Sequence, residues 1–237
     1  MSSAQSKPAL RLDWCSHDAA TYAVTHWHYS RKMPKSKLAK VGVWENQRFV
    51  GAVIFGLGAT PELSKPYGLT MYQVAELVRV ALGSHQSHVS RIVTIAAKMV
   101  TRANPGLRLF ISFADTAHGH HGGIYQAAGW IYLGTSFGRY IVTNGRVEHP
   151  RTLGSRYGVG GQSLPWLRTH VDPNAKQIMA KPKHRYVFPL DDEIRARIAP
   201  LAKPYPKRDR SRENAAPLPN GEGGVIPTRS LQSGRNA

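Results

Sequence analysis

Between residues 10 and 149, short apolar runs of the kind that form strands alternate with segments whose apolar residues recur at helical spacing. The runs predict strands over residues 10–14, 40–44, 49–57, 74–82, 107–114, 131–135 and 140–147. Helices are predicted over residues 17–27, 89–102 and 123–128. This alternation is typical of an α/β (α+β) domain in which helices flank a mixed sheet.

The rest of the chain divides into a mixed segment and two ends. Residues 150–202 predict a small helix over 173–179, a strand over 184–189 and a helix over 191–201, and we expect this extension to be ordered but peripheral. Residues 203–237 contain seven Lys or Arg, three Asp or Glu and few large apolar side chains, which predicts a disordered basic tail. Residues 1–9 are expected to form a flexible N-terminus.

Charge is the feature of the composition that narrows the function. The 32 Lys and Arg outnumber the 14 Asp and Glu, so the net charge of +18 favours an anionic partner, with nucleic acid the first to consider. No stretch approaches the ~20 apolar residues of a membrane span, so a membrane partner is not expected. One cysteine, Cys15, and no apolar leader segment favour a reducing, intracellular location.

Several spaced motifs in one order carry a family resemblance. They are WHYS at residues 27–30, ELVRV at 76–80, SFAD at 112–115, GGIYQAAGW at 122–130 and KHRY at 183–186. Together they resemble the Mom DNA-modification proteins of Mu-like phages over roughly residues 10–190. The order of strands and helices is similar to that of the GNAT acyltransferase fold, which makes residues 10–149 the expected catalytic domain.

The resemblance implies an enzyme that converts adenine in double-stranded DNA to N6-carbamoylmethyladenine and so protects phage DNA from host restriction. It would act in the cytoplasm of the infected bacterial host, and a GNAT-like fold implies acetyl-CoA as cosubstrate. Two alternatives stay open. One is an ordinary CoA-dependent N-acetyltransferase acting on a protein or small amine, and the other is a non-catalytic DNA-binding module.

Five polar residues in these motifs are the candidate catalytic groups. His28 is a candidate general base or orienting donor, because the ordinary pKa of histidine lies near working pH. Tyr29 would present an aromatic surface to an extruded base. Arg79 would need an anionic partner, either Asp115 or a ligand group. Asp115 could polarise His28, accept the N6 proton or cap the next turn, and Tyr125 could protonate a leaving thiolate or simply pack.

The candidate cofactor residues follow the fourth predicted strand. A GNAT pyrophosphate loop is usually glycine-rich and lies at a helix N-terminus, whose N–H groups bind phosphate. Here the loop has a single glycine, but hydroxyls and imidazoles add possible donors. The candidates for binding acyl-CoA are Val80, Gly83, Ser84, Ser87 and His88.

Basic residues supply candidate DNA contacts. Trp27 would stack on a base or pack in the core, and the run after it would follow phosphates. The residues proposed to bind DNA are Trp27, Arg31, Lys32, Lys35, Lys37, Lys183 and Arg185. Solvated loops are the alternative for the basic residues.

A histidine cluster is the candidate metal site. His118, His120 and His121 have ligand-type side chains and could be joined by Asp115 or His28, with iron plausible for such ligands. The cluster lacks the paired spacing of known zinc motifs. The alternative is a glycine-flanked mobile loop that contacts DNA phosphate.

Overall fold

The computed structural model describes residues 8–56 and 61–207. The strands are β1 (Leu10–Trp14), β2 (Leu38–Glu45), β3 (Arg48–Gly56), β4 (Val74–Leu82), β5 (Leu109–Asp115), β6 (Ile131–Ser136), β7 (Arg139–Thr143), β8 (Arg146–Glu148), β9 (Lys176–Met179) and β10 (Lys183–Pro189). The helices are α1 (His17–Trp27), α2 (Val89–Ala103), α3 (Gly123–Ala127), α4 (Pro150–Tyr157), α5 (Leu164–His170) and α6 (Asp192–Ile198).

Seven strands form the main sheet in the order β1-β2-β3-β4-β5-β10-β6. β4 and β5 pair in parallel, whereas the other neighbouring strands of this sheet, within the described residues, pair antiparallel. This strand order confirms the predicted mixed sheet and its GNAT-like arrangement.

The parallel strands β4 and β5 diverge soon after they meet. Their pairing runs from Val74 opposite Leu109 to Glu76 opposite Ile111 and then ends. The carbonyl oxygen of Leu77 instead accepts a hydrogen bond from the Ser112 hydroxyl, at 2.9 Å. A register shift between β3 and β4 lies at the same level of the sheet, and such irregularities bend a strand. A gap therefore opens between the carboxyl ends of β4 and β5.

Helices cover both faces of the main sheet. Successive side chains of a strand point to opposite faces, and in β3 Val53 packs in the cluster that contains α2, whereas Ile54 packs in the cluster that contains α1. In β5, Phe110 lies on the α2 face, and Leu109 lies on the opposite face with α6. The helices thus hold the diverging strands in place from either side.

Strand β10 occupies a more central position than we expected of residues 150–202. It lies between β5 and β6, with Tyr186 opposite Ser112, and Tyr186 is fully buried. The alternation of side chains in this strand predicts its two faces. Its strand partners, however, lie from 47 positions away (Lys183 and Ser136) to 80 positions away (Pro189 and Leu109), which local pattern does not reveal.

A second, three-stranded sheet of order β8-β7-β9 packs with α4 and α5 around Ile141, Leu153 and Leu167. The prediction of a helix over residues 173–179 is wrong. Residues Lys176–Met179 form β9, which pairs antiparallel with β7 and so gains tertiary hydrogen bonds in place of helical ones. The sequence analysis did not predict α4 or α5.

The predicted tail divides at Lys207. Residues 203–207 have neither helix nor strand, but the Lys203 N–H donates to the Tyr132 carbonyl oxygen and the Tyr205 hydroxyl donates to the Trp130 carbonyl oxygen, both at 2.8 Å. Residues 208–237, most of the predicted flexible N-terminus and the last residue of the predicted strand 49–57 lie outside the described residues. Among the described helices none has the length and apolar character needed to cross a membrane.

Candidate active site

A pocket of about 1070 Å³ occupies the gap between β4 and β5. It is bordered by the end of α1, by the second half of β4, and by the segment from β5 to α3. Eight residues singled out from the sequence line it, namely Trp27, His28, Tyr29, Arg79, Val80, His120, His121 and Tyr125. The fold therefore brings together motifs that are about 100 residues apart in the chain.

His28 follows α1 and is held in one tautomer. Its Nδ1 accepts hydrogen bonds from the backbone N–H of Ser30, at 3.0 Å, and from the Ser30 hydroxyl, at 2.9 Å. Burial, followed by the positive charge of Arg79, lowers the pKa of His28 to about 4. The ring is thus neutral at working pH, and because Nδ1 accepts, the ring proton lies on Nε2. Of the two roles predicted for His28, orienting donor fits this arrangement and general base does not.

Tyr29 is part of an aromatic wall at the pocket mouth. Its ring is 46% exposed, lies 4.3 Å from the ring of His28 and 4.2 Å from that of His118, and meets His120 edge-on at 5.4 Å, all between centroids. Burial, and then the charge of His118, lower the pKa of His120. Aromatic rings packed together in this way offer a surface against which a planar base can pack.

Arg79 points its guanidinium to carbonyl oxygens rather than to a carboxylate. Its Nη1 donates to the carbonyl oxygen of Val78 at 2.7 Å, and its Nη2 and Nε donate to that of Lys32 at 3.2 and 3.4 Å. The predicted pair with Asp115 is not formed. A half-buried cation with spare N–H donors in a pocket favours binding of an oxygen-bearing ligand.

Asp115 lies behind the pocket wall and is not among the described residues that line it. Its Oδ1 accepts from the backbone N–H of Ala117 at 2.9 Å, and its Oδ2 lies 3.2 Å from the Lys183 ammonium and 3.7 Å from His118 Nδ1. Burial acts to raise the pKa of Asp115, but Lys183 and the backbone hydrogen bond outweigh it and hold that pKa below its ordinary value. Asp115 therefore caps the turn, as one reading of the sequence allowed, and its catalytic role stays a prediction.

Tyr125 lies at the floor of the pocket, on α3. Its hydroxyl oxygen is 2.8 Å from the Ser112 hydroxyl, which also lies within reach of the Leu77 carbonyl. Burial raises the pKa of Tyr125 to about 12, so the phenol keeps its proton at working pH. The group can supply a proton but cannot readily act as a base.

Trp27 combines the two roles that the sequence left open. Its ring lines the pocket, but it also packs against Phe49, at 6.0 Å between centroids, and edge-on against Tyr22, at 5.4 Å. A Cβ placed on Gly83 would lie 2.7 Å from the same ring, so the glycine makes room for it. The indole is thus a packed wall of the pocket rather than a free stacking platform.

The predicted coenzyme A site does not fit a diphosphate at the start of α2. Val80 lines the pocket, whereas Gly83, Ser84, Ser87 and His88 do not. The backbone N–H groups of Gln86 and Ser87 donate instead to Glu45, at 2.8 and 2.7 Å. Glu45 is 5% exposed, and although burial acts to raise its pKa, the hydrogen bonds from Ser87 and Gln86 keep that pKa below its ordinary value. A carboxylate of the chain itself therefore holds two of the donors that a phosphate would use.

The predicted basic run partly borders the pocket. Arg31, Lys32, Lys35 and Lys37 are exposed, and the Lys32 carbonyl contacts Arg79. Lys183 pairs with Asp115 but keeps 44% of its side chain exposed. Arg185 does not suit its predicted DNA contact, because it is half-buried and its Nε is enclosed without a hydrogen-bond partner among the described residues.

The histidine cluster does not form the predicted metal site. Within residues 8–56 and 61–207 no three His, Cys, Asp or Glu side chains are arranged to hold a metal ion. The rings of His118 and His120 are 6.2 Å apart between centroids, and both pack on Tyr29. The prediction for His118, His120 and His121, with iron as the metal, is therefore corrected, and we assign no step to a metal.

Sequence reasoning missed several residues of the pocket. Phe113, Thr116, His184 and Lys207 also line it. Lys207 reaches the pocket because the preceding residues are tied to the domain, in part by a 3.5 Å hydrogen bond from Gln126 to the Pro206 carbonyl. The two prolines in Lys203-Pro204-Tyr205-Pro206-Lys207 could have indicated this, because proline restricts the backbone and a stiff segment is less typical of a disordered tail.

The fold and the pocket define a class of protein: an α/β protein with a mixed sheet and a polar site between two diverging strands. The profile of the Mom protein family matches residues 9–207, so the chain belongs to the Mom protein family. It is also 25% identical, over 206 residues and 84% of each chain, to the methylcarbamoylase Mom of Escherichia phage Mu. The resemblance drawn from the motifs is thereby confirmed.

Solved structures show a looser likeness. An aminoglycoside acetyltransferase in complex with coenzyme A has a TM-score of 0.44 and 11% identity, covering 81% of this chain and 99% of that one. An N-acyl amino acid synthase from uncultured soil microbes has a TM-score of 0.44 and 11% identity, covering 82% of this chain and 98% of that one. Similarity at this level carries no inference about ligands.

Proposed function

We propose that this protein transfers a carbamoylmethyl group to the exocyclic N6 of adenine in DNA. The observation that carries the proposal is the pocket between β4 and β5, in which a neutral His28, a half-buried Arg79 and a protonated Tyr125 lie beneath an exposed aromatic wall. Membership of the Mom family and the net charge of +18 support DNA as the substrate. In this role the protein would act in the host cytoplasm and protect phage DNA from restriction.

Adenine must leave the duplex before it can react, because N6 is hydrogen-bonded within the base pair. Extrusion costs about a few kcal/mol, which stacking on aromatic side chains offsets. Tyr29, flanked by His118, is the surface we assign to this step. Tyr29 is 46% exposed, so part of its surface is accessible to a base.

The transfer makes one bond and breaks one. The N6 lone pair attacks the methylene carbon of the donor, the N6–CH2 bond forms, and the leaving group departs with the electron pair of its bond to that carbon. The Nε2–H of His28 and the guanidinium of Arg79 would hold the amide oxygen of the donor. Preorganised donors of this kind contribute about 10²–10³ in rate each.

Two protons move in this scheme. N6 loses one, and His120 is the group that we assign to accept it, because it lines the pocket and its lowered pKa keeps it neutral. Tyr125 would donate its hydroxyl proton to the leaving group. Asp115 takes no direct part, since its carboxylate is engaged with Lys183.

We route no step through coenzyme A. A thioester delivers an acyl carbon, whereas this adduct has a methylene carbon on N6. The Glu45 carboxylate at the start of α2 would also repel a diphosphate there. We therefore propose that the donor is bound by the pocket itself, through its amide group.

Mass spectrometry of nucleosides from DNA of cells that express the protein tests the proposal. We expect a deoxyadenosine that carries an added C2H3NO, and an adduct yield reduced about 10²-fold or more in Tyr125→Phe. Tyr132→Phe is a matched control, because it also removes a buried tyrosine hydroxyl but lies outside the pocket lining. Unmodified DNA together with acylated amines would instead favour an N-acyltransferase, and DNA binding without any product would favour a binding module.

A further inference from the structure

The segment that carries the second sheet holds more positive charge than it neutralises. Residues 137–182 contain seven Lys or Arg and two Asp or Glu. Both acids are engaged: Glu148 accepts two hydrogen bonds from Arg156, at 2.6 and 2.9 Å, and Asp172 accepts from the backbone N–H groups of Asn144 and Asn174, each at 2.8 Å. The other cations of this segment therefore have no acidic partner within it.

Three cations converge on His149, at the start of α4. Its Nδ1 accepts from the backbone N–H of Arg151 at 3.1 Å, and its ring meets that of Tyr140 edge-on at 5.9 Å. Burial lowers the pKa of His149, and the positive charges of Arg151, Lys183 and Arg139 lower it further. Arg139 and Arg151 are exposed, and neither forms a salt bridge within the described residues.

This cluster is continuous with the wall of the pocket. The Lys183 ammonium lies 3.2 Å from Asp115, whose other neighbour is His118 at 3.7 Å, and the ring of His118 stacks on Tyr29. The exposed run Arg31–Lys37 borders the pocket near Arg79, where the Lys32 carbonyl accepts from the guanidinium. The cluster around His149 is joined to this wall through Lys183, which contacts Asp115.

Like charges held together repel, so the arrangement favours an anion that neutralises them. We propose that Arg139, Arg151 and Lys183 form a phosphate-binding cluster that holds the DNA backbone beside the extruded adenine. This inference rests on the proposed function only in taking DNA as the ligand. With phosphate contacts on two sides of the pocket, the duplex is held while the base is drawn out between them.

The salt dependence of duplex binding by the full-length protein tests the cluster. Each phosphate contact contributes about 0.9 to the slope of log K against log salt concentration, so Arg139→Ala with Arg151→Ala should reduce that slope by about 1.8. Replacement of the same two residues by lysine keeps the charges and should retain the slope. Arg91→Ala with Lys98→Ala, which removes two exposed cations from α2, is the matched control and should leave the slope unchanged.

The outcomes separate this inference from the proposed function. An unchanged slope in the Arg139 and Arg151 alanine variant, or an equal loss in the α2 control, overturns the cluster. Unfolding temperatures equal to that of the wild type exclude a folding defect as the cause of a lost slope. The adenine adduct is measured separately on the wild-type protein, so its absence overturns the proposed function without deciding the binding result.

Discussion

His28 shows how one side chain acquires a defined chemical state from its surroundings. An isolated imidazole exchanges its proton near neutral pH, but burial and the neighbouring Arg79 disfavour the charged form here. The hydrogen bonds from Ser30 then select the tautomer. His28, which the sequence suggested as a possible general base, is therefore held as a hydrogen-bond donor through its Nε2–H.

The pH dependence of stability should report this state of His28. With a pKa of about 4 in the folded protein and an unfolded value of about 6.5, the unfolded chain binds more protons between these two values. The unfolding free energy should therefore fall as pH drops through that window, whereas above it His28 contributes no slope. His28→Asn should flatten this part of the profile, measured by denaturant unfolding at several pH values.

His17→Asn serves as the comparison for His28, because it removes an exposed histidine at the start of α1. Its profile should follow that of the wild type. Coincident profiles for His28→Asn and the wild type would show that the imidazole is not held neutral, and the donor role would then lose its basis.

At the scale of elements, the site depends on how the segment between β5 and α3 is held. Gly122 has φ of 85°, and a Cβ placed on it would lie 2.2 Å from the ring of Tyr186 on β10. The Tyr186 hydroxyl donates to the His121 carbonyl at 2.6 Å. Close approach of the glycine to this ring therefore fixes the wall of the pocket against β10.

Gly122→Ala should lower the unfolding free energy by about 1–3 kcal/mol and displace the pocket wall, because both the backbone conformation and the contact disfavour a side chain. Gly119→Ala is a matched control: Gly119 has φ of 72°, but its Cβ would meet nothing within 4 Å. It should cost about 1 kcal/mol from the backbone alone. Equal losses in the two variants would contradict the role of Tyr186.

Glu45 links the end of β2 to the start of α2. Glu45→Gln removes the charge that two backbone N–H groups contact and should lower the unfolding free energy by about 1.5–3 kcal/mol, measured by denaturant unfolding. Glu62→Gln, on an exposed ion pair with Lys65, should change it by less than about 1 kcal/mol.

Glu45 also affects which group donor the protein can bind, because its carboxylate contacts the backbone N–H groups at the start of α2. Coenzyme A should not raise the melting temperature of the wild-type protein, because a ligand stabilises only a fold that binds it. A rise in melting temperature that grows with coenzyme A concentration would contradict our exclusion of that cofactor from the scheme.

At the scale of the whole molecule, charge decides how the site meets its substrate. The Lys and Arg residues that give the net charge of +18 occur throughout the chain, including the basic run Arg31–Lys37 and the residues after Lys207. In the proposed function, non-specific attraction to a polyanion would bring the protein to DNA, and the pocket would then act on the base. Affinity and chemistry can therefore be separated by variants that change only charge.

A chain that ends at Lys207 should bind DNA more weakly and with a smaller salt slope, because residues 208–237 carry five Arg against three Asp or Glu. Once saturated with DNA, it should still form the adenine adduct. Replacement of the five arginines by glutamine in the full-length chain should have the same effect on binding. Loss of the adduct at saturating DNA would show that these residues do more than tether.

Much of the fold could be predicted because its signals are local. The helices α1 and α2 and the strands β1 to β5 follow from periodicity, and the motifs at Trp27, Arg79 and Tyr125 correctly pointed to one site. Strand β9 could not be found this way, because its hydrogen bonds to β7 outweigh the helical tendency of its residues.

The sequence by itself determined the order of the elements from β1 to α3, the excess of positive charge and the family, since each depends on residue types and their spacing. Tertiary structure alone decided that Asp115 caps a turn outside the pocket, that Glu45 occupies the start of α2, and that Lys207 reaches the site. The contacts of Glu45 and Lys207 join residues from separate elements. Asp115 had several possible partners of similar energy, and the fold selected among them. These contacts depend on distances and burial in the folded protein, and the spacing of residues along the chain does not specify either quantity.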